Sequence, residues 1–452
     1  GAKTTLTYEV ANSLRFNDDS SDYLNRTPGS AGNRRTFTIS CWIKRGQTTT
    51  LSNIMSAWAS NADSGHFLLR FDSAERLDVS TWSTNVLTTN RLFRDPSAWY
   101  HIVCAIDTTS GTADNRVRLY VNGVEETSFS TRNNPSQNTD LQVNNNSIQV
   151  IGANYYTSSA QTYSDGYLAE FVLIDGQQLD PTSFGEFDED SPNIWKPKSV
   201  LGLTFGTNGF YLDFENASSL GADVSGNSNN FTVNNLTSVD QTTDTCTNNF
   251  STLNSILGNT GVNAFSEGNT VVEFTGGGNG SSLSTFGLQA GRWYAECKIN
   301  TTGNGAGVGI FGESTDINAW VNIVDGLVYV NSGQKNVNGT ETSGVGATFT
   351  DNDIIGVALD ITSGDVEFFK NGASQFTLSL SDMLTGGNSN STYFFGFSDA
   401  SGATSGKGSY NFGNPAFSIS SGNSDANGYG NFEYAVPSGF YALNSKNLAE
   451  FG

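Results

Sequence analysis

The sequence predicts an all-β fold, two antiparallel β-sandwiches joined by a short structured β bridge. Three observations predict it. Apolar and polar residues alternate with a period of two along run after run, while a helical period is almost absent. The composition suits short strands and tight turns, with 50 Gly, 30 Phe and 16 Tyr against 2 Met among 452 residues. A strand–turn–strand unit ending in Asn-Gly occurs twice, at Asn122-Gly123 and at Asn371-Gly372.

The first strands open with TFTISCWIK (36–44), which places Phe37, Ile39, Cys41 and Ile43 on one face and Thr36, Thr38, Ser40, Trp42 and Lys44 on the other. HFLLRFD, WYHIVCAID and RVRLYVNG follow, and GYLAEFVLIDG (166–176) closes the set. Asp180-Pro181 then reads as the start of one short helical turn, with Pro at its first position. Residues 190–261 read as a structured connector with a short hairpin, because they carry Trp195, Phe210, Tyr211, Phe214 and Phe231 to bury. A second block runs from VVEFTG through GRWYAECKIN, DIIGVALDITSG and DVEFFKNG to TYFFGFSD, each strand bounded by Gly, Asn or Asp. The tail after it holds aromatic residues and is expected to pack. The predicted domains are 1–189, 190–261, 262–416 and 417–452. The internal echo, CAIDTTSG then RLYVNG and VALDITSG then FFKNG, supports two related sandwiches. Asn-Gly suits a type I′ hairpin because both central residues need positive φ.

With 22 basic against 44 acidic residues the formal net charge is −22. That argues against nucleic-acid binding, which needs a basic face, and against an anionic membrane surface. No apolar run approaches the ~18 residues of a membrane-spanning helix. The chain starts at Gly1 without a hydrophobic leader, so either a leader has been removed or the chain is a processed product. Cys41, Cys104, Cys246 and Cys297 have no metal-ligand spacing and read as buried free thiols, with a Cys41–Cys104 disulfide as the alternative. His66 and His101 are the only histidines, which makes zinc sites and His-based catalysis hard to build. His101 reads as a surface or half-buried residue rather than a base. There is no GxSxG and no P-loop, and GGGNG (276–280) reads as a turn.

The run SLRFNDDSSDYL, FTISCWIKR, WYHIVCAIDTTSG, VRLYVNGVE and GYLAEFVLIDGQQLD resembles a laminin-G/concanavalin-A-like lectin domain over roughly 10–185. The run GRWYAECKI, GVGI, DIIGVALDITSGDVEFFKNG and YFFGFSD resembles a SPRY domain over roughly 262–416. Both resemblances imply concanavalin-like jelly rolls. The whole arrangement, with IDGQQLDPTSFGEFDED, WKPK, GTNGFYLDF, DVSGNSNNF and the tail NFEYAVPSGFYALNSKNLAE, is similar to structural proteins of marine tailed bacteriophages. That similarity implies a virion surface protein, a tail-fibre or spike component for host attachment. The alternative is a capsid decoration or cement protein, with an extracellular polysaccharide-binding protein or hydrolase as a minor one. The partners so implied are other virion proteins, a host surface glycan or protein, and further copies of the chain, although no heptad specifies an oligomer.

Glycosidases sharing this sandwich place two carboxylates on one strand. The nearest text, Glu186-Phe187-Asp188-Glu189-Asp190, lies between Pro181 and Pro192 and reads as a loop, so no catalytic residue is assigned. No cofactor is required, and Ca²⁺ is the one metal the residues suit. Asn17, Asp18, Asp19, Asp22 and Asp165 are the candidate ligands by the laminin-G resemblance, and a solvated acidic loop is the preferred alternative. DVSGNSNN (223–230) reads as a polar turn. Glycan binding needs exposed aromatic rings beside amides and hydroxyls. Trp58, Trp82 and Trp320 lie in such surroundings, with structural packing as the competing explanation. The SPRY resemblance points to loops 312–322 and 331–350 for partner peptides.

Overall fold

The structure is a computed structural model that describes residues 8–257, 263–275, 279–318, 325–384, 391–400 and 404–452. It comprises two compact units, Gly1–Thr247 and Asn248–Gly452. Each pairs two β-sheets around its own apolar core.

In the first unit the front sheet runs in the order Val124–Glu125, Val117–Val121, Trp99–Asp107, Thr36–Arg45, Gly166–Asp175, Ser13–Phe16 and Gln241–Thr242. The back sheet runs Phe129–Arg132, Asn85–Leu92, Arg76–Ser80, His66–Phe71, Ser52–Trp58, Ile148–Ile151, Tyr23–Arg26 and Thr232–Asn234. The alternation read from the sequence sets the inner face: Phe37, Ile39, Cys41 and Ile43 meet Phe67, Leu69 and Phe71 in one core. Cys41 and Cys104 lie on adjacent strands with Ile39 opposite Cys104, and all four cysteines are free thiols.

The outer face of the front sheet is buried as well, which corrects the predicted bridge. The segment assigned to a separate connector at 190–261 instead supplies strands and a lid to the first unit up to Thr247. Phe210–Leu212 pairs with Gly166–Asp175, Thr232–Asn234 with Tyr23–Arg26, and Gln241–Thr242 with Ser13–Phe16. Phe184, Val200, Phe205 and Tyr211 cover Val103, Ala105 and Val172, while Trp195 joins Trp42, Trp99 and Tyr167. The reason is physical: a sheet apolar on both faces needs two covers, and the connector's aromatic residues are the second. The ion pair Lys44 Nζ–Asp244 Oδ2, at 2.8 Å and with both side chains 0% exposed, fastens this cover. Trp99 Nε1 donates to the other carboxylate oxygen at 3.2 Å.

In the second unit one sheet runs Asn263–Ser266, Val271–Phe274, Gly406–Asn411, Arg292–Thr302, Ile354–Asp360, Asp365–Lys370 and Ala373–Ser379. The other runs Gly280–Leu283, Tyr393–Asp399, Gly307–Gly312, Gly326–Val330, Lys335–Val337 and Thr340–Thr342. The tail packs on the first of these, with Tyr441–Ala442 parallel to Trp293–Tyr294 and a closing helix at Ser445–Phe451. Glu296, fully buried, holds it: Oε1 accepts the Tyr434 N–H at 2.8 Å and Oε2 the Glu433 N–H at 3.0 Å. Asn411 Nδ2 adds a bond at 3.2 Å.

The echoed units are the same device. Asn122 and Asn371 sit at φ 49° and 48°, followed by Gly123 and Gly372 at 80° and 77°. Asn122 Oδ1 accepts the His101 N–H at 2.8 Å, and Asn371 Oδ1 accepts that of Ile354 at 2.8 Å. Each turn thereby ties its hairpin to a third strand.

Two outcomes are expected. Lys44→Met leaves the Asp244 carboxylate buried without its counter-ion, so chemical denaturation should show the first unit weakened by about 3–5 kcal/mol, with most of it regained in Lys44→Met/Asp244→Leu. In the second unit burial pushes the Glu296 carboxyl from 4.5 up to about 7. The folded unit then binds more protons than the unfolded chain between those values, so its stability falls as pH rises across that window and levels off above it. Asp399, pushed by burial up to about 6, acts in the same sense. Thermal melts across this window should show that fall, and Glu296→Gln should show a shallower one.

Candidate functional site

With the front sheet covered on both faces, the outer face of the back sheet is where the first unit builds a site. Phe67, Leu69 and Phe71 point to the core, so His66, Leu68 and Arg70 point away from it. The hairpin Ala153–Tyr156/Ser159–Tyr163 lies against this face, anchored where Ser56 Oγ donates to the Ala153 carbonyl at 2.9 Å and accepts the Tyr155 N–H at 3.0 Å. Between this hairpin and loop 81–84 opens a cleft of about 190 Å³, lined by His66, Leu68, Arg70, Thr81, Trp82, Ser83, Asn85, Asn154 and Tyr156.

Trp82 is 39% exposed, one of the few large apolar side chains left to solvent. Its ring lies 6.0 Å from that of Tyr156 and 5.9 Å from that of His66. The loop that carries it is fixed by one carboxylate. Asp63 accepts the Ser83 N–H at 2.7 Å, the Thr81 hydroxyl at 2.8 Å, the Thr84 hydroxyl at 2.9 Å and the Ser83 hydroxyl at 3.0 Å. These bonds, that from the Ser83 N–H foremost, hold the Asp63 carboxyl down at about 2. The wall opposite is a hairpin whose turn residues Thr157 and Ser158 both have positive φ, 49° and 67°, a costly conformation for a β-branched residue.

On the floor, His66 Nε2 bonds Asn154 Oδ1 at 3.0 Å, and burial lowers the imidazole pKa, so the ring is neutral at pH 7. Arg70 Nε donates to Asp78 Oδ2 at 3.2 Å, and Thr88 donates to the other Asp78 oxygen at 2.8 Å. Trp58 stands beside His66 in strand register, its ring 5.6 Å from Tyr155 and its Nε1 bonded to Asn61 Oδ1 at 3.0 Å.

Of the three tryptophans expected at a binding surface, Trp58 and Trp82 therefore converge on one sheet face, and Trp320 lies outside the described residues. Arg70, Asn85, Asn154, Tyr156 and the clamp Asp63 were not among the expected residues. The sequence signal for the clamp was an Asp in NADSG some twenty residues before the Ser/Thr-rich STWST, which only the fold brings together.

The expected calcium ligands sit apart from this cleft in role. Asp22 is buried and accepts the Asn17 N–H at 3.0 Å, and Asn17 Oδ1 accepts the Asp19 N–H at 3.2 Å. Burial, then the neighbouring Asp19, raises the Asp18 carboxyl pKa. Asp165 is buried beside Gly46. Among the described residues there is no group of three or more His, Cys, Asp or Glu side chains that could hold a metal ion. In DVSGNSNN, Asp223 is taken up by the N–H groups of Tyr211 and Ser225 at 2.9 Å each and Asn229 at 2.7 Å, as a polar turn should be.

His101, read as surface or half-buried, is 1% exposed because the 176–247 cover closes over it. It is stacked between Trp42 and Trp195, with centroids at 4.9 and 5.9 Å. Trp195 Nε1, which can only donate, bonds Nδ1 at 3.0 Å. Nε2 therefore carries the proton and donates to Ser40 Oγ at 2.8 Å, the reverse of what a Ser–His nucleophile needs. Burial drives the imidazole down to about 3. The run Glu186–Asp190 straddles a two-stranded hairpin and its turn, where Lys196 Nζ bridges Glu186 at 3.7 Å and Asp188 at 3.2 Å.

Residues 18–179 match the concanavalin A-like lectin/glucanases superfamily in its Laminin_G_3 family, and residues 292–384 match the SPRY domain. The chain thus contains a concanavalin A-like domain and a SPRY domain. No curated protein matches it. Among solved structures, the SPRY domain of human HERC1 is 20% identical over 31% of this chain and 86% of that one, with a TM-score of 0.27. A putative carbohydrate binding protein from Bacteroides ovatus ATCC 8483 is 16% identical over 50% of this chain and 59% of that one, with a TM-score of 0.34. The native heptameric SAP-like pentraxin from Limulus polyphemus is 17% identical over 38% and 80%, with a TM-score of 0.30.

The clamp predicts a local effect. In Asp63→Ala the Ser83 amide should exchange with solvent about tenfold faster or more, with the unfolding midpoint of the unit unchanged. Hydrogen exchange read by mass spectrometry checks both.

Proposed function

We propose that this chain is a non-catalytic recognition protein of a virion surface, which attaches to its host through a saccharide seated in the cleft between Trp82 and Tyr156. The observation that carries the binding part is the clamped, exposed indole. Four groups of one loop are spent on a single carboxylate to hold Trp82 where it gains little from the core. A rigid aromatic face beside amides and a guanidinium is the arrangement that sugar rings stack on. The virion part rests on the similarity of the quoted segments to structural proteins of tailed bacteriophages. The attachment role gives the SPRY unit a protein partner within the particle.

One observation favours decoration of a capsid instead. Val124, 60% exposed, lies on the edge strand of the front sheet, and Gly123 beside it packs on Trp195. Phe187 at 43% and Ile194 at 57% exposure flank the same indole. An apolar patch on an open sheet edge suits a neighbouring subunit.

A glycan array probed with the wild type and with Trp82→Ala separates the two. Attachment predicts bound glycans and a loss of about tenfold or more in the variant. An array blank for both proteins, together with particles that incorporate Trp82→Ala but exclude Ile194→Asp, would establish decoration instead.

A further inference from the structure

Resting on that reading of the cleft, we infer that its ligand is a single neutral pyranose ring bearing two adjacent hydroxyls, its apolar face against Trp82 and the hydroxyl pair on the Arg70 guanidinium. Size sets the first limit. About 190 Å³ is well below the ~300 Å³ at which pockets take drug-sized ligands, so one ring fills it.

Charge sets the second. Arg70 is the one cationic side chain lining the cleft, and its charge is already balanced by Asp78, whose side chain is 1% exposed. His66 is neutral, and Asp63 behind the Trp82 loop is ionised. A uronate or sulfate would therefore enter a site with no uncompensated cation, next to a carboxylate, on a chain of net charge −22.

Hydrogen-bonding capacity gives the class. Asp78 takes Nε of Arg70, and the two terminal nitrogens have no hydrogen-bond partner among the described residues. A planar guanidinium edge matches two neighbouring oxygens, and neutral hydroxyls accept from it without needing its net charge. The Asn85 amide and the Tyr156 hydroxyl, likewise without partners among the described residues, supply an acceptor and a further donor for the remaining hydroxyls. Trp82 and Tyr156 meet at 55°, so they present two walls rather than a parallel stack, a shape for the face and edge of one ring.

The test is affinity gel electrophoresis of the full chain with dextran, galactomannan and polygalacturonate, at about 50 and about 500 mM NaCl. Retardation by a neutral polysaccharide is expected, with an affinity that changes less than about twofold between the two salts. Trp82→Ala and Arg70→Lys should each weaken it by about tenfold or more, because lysine keeps the charge but lacks the planar edge. Denaturation midpoints equal to wild type confirm that the variants are folded. Retardation by polygalacturonate alone, fading with salt, would overturn the neutral assignment and leave saccharide binding standing. Full affinity in folded Arg70→Lys would overturn the hydroxyl-pair assignment. Absence of retardation in all three gels and on the array would remove the saccharide reading itself.

Discussion

The first unit depends on one ion pair removed from water. Lys44 lies on a central strand of the front sheet and Asp244 three residues before the end of the unit, and their charges meet at 2.8 Å with no exposure. Two buried ions are tolerable only as a pair with further hydrogen bonds, which Trp99 Nε1 supplies. The pair therefore accepts one geometry, with the last strand against Ser13–Phe16 and the aromatic cover over Trp42 and Tyr167. Burial lowers the Lys44 pKa, with Asp244 opposing the shift, which is the electrostatic signature of that closure. Once the cover is in place the outer face of the front sheet is committed to the fold. The cleft lies on the back sheet.

How much of this was legible follows from the range of each signal. Period-two alternation is local, so the strand at Thr36–Arg45 and its inward face could be read directly. The Asn-Gly turns could be read because positive φ is a demand on two neighbouring residues. Which distant segment covers the second face of a sheet is not local information. Phe210, Tyr211 and Phe231 signal burial but not where, so residues 190–261 read as a bridge and His101 as a surface or half-buried residue. The site divides in the same way. Trp58 and Trp82 stood out as aromatic residues in polar text. Asp63, Arg70 and the pair Asn154 and Tyr156 come from three different elements, and each reads there as an ordinary strand or turn residue.

The cleft is stiff by construction. Asp63 fixes one wall through side-chain and backbone donors, and a turn at positive φ closes the hairpin that forms the other. A saccharide binds weakly for each contact it makes, so ordering a loop at the moment of binding would consume most of the gain. Here that ordering is completed during folding.

The same structure separates binding groups from those that could do chemistry. The buried acid Glu170, at a bulge with φ 50°, is pushed by burial up to about 7 and accepts from the hydroxyls of Tyr8 and Tyr211 at 2.8 Å each. Glu296 accepts from backbone amides, His101 is locked between two indoles with its proton on the wrong nitrogen, and Asp188 is tied to Lys196. Glu170, Glu296, His101 and Asp188 have partners inside the fold, whereas the terminal nitrogens of Arg70, the Asn85 amide and the Tyr156 hydroxyl keep their capacity at the cleft. A general acid or base must exchange a proton with substrate, and a recognition group only has to offer a hydrogen bond. The open capacity at the cleft, on Arg70, Asn85 and Tyr156, is hydrogen-bonding capacity.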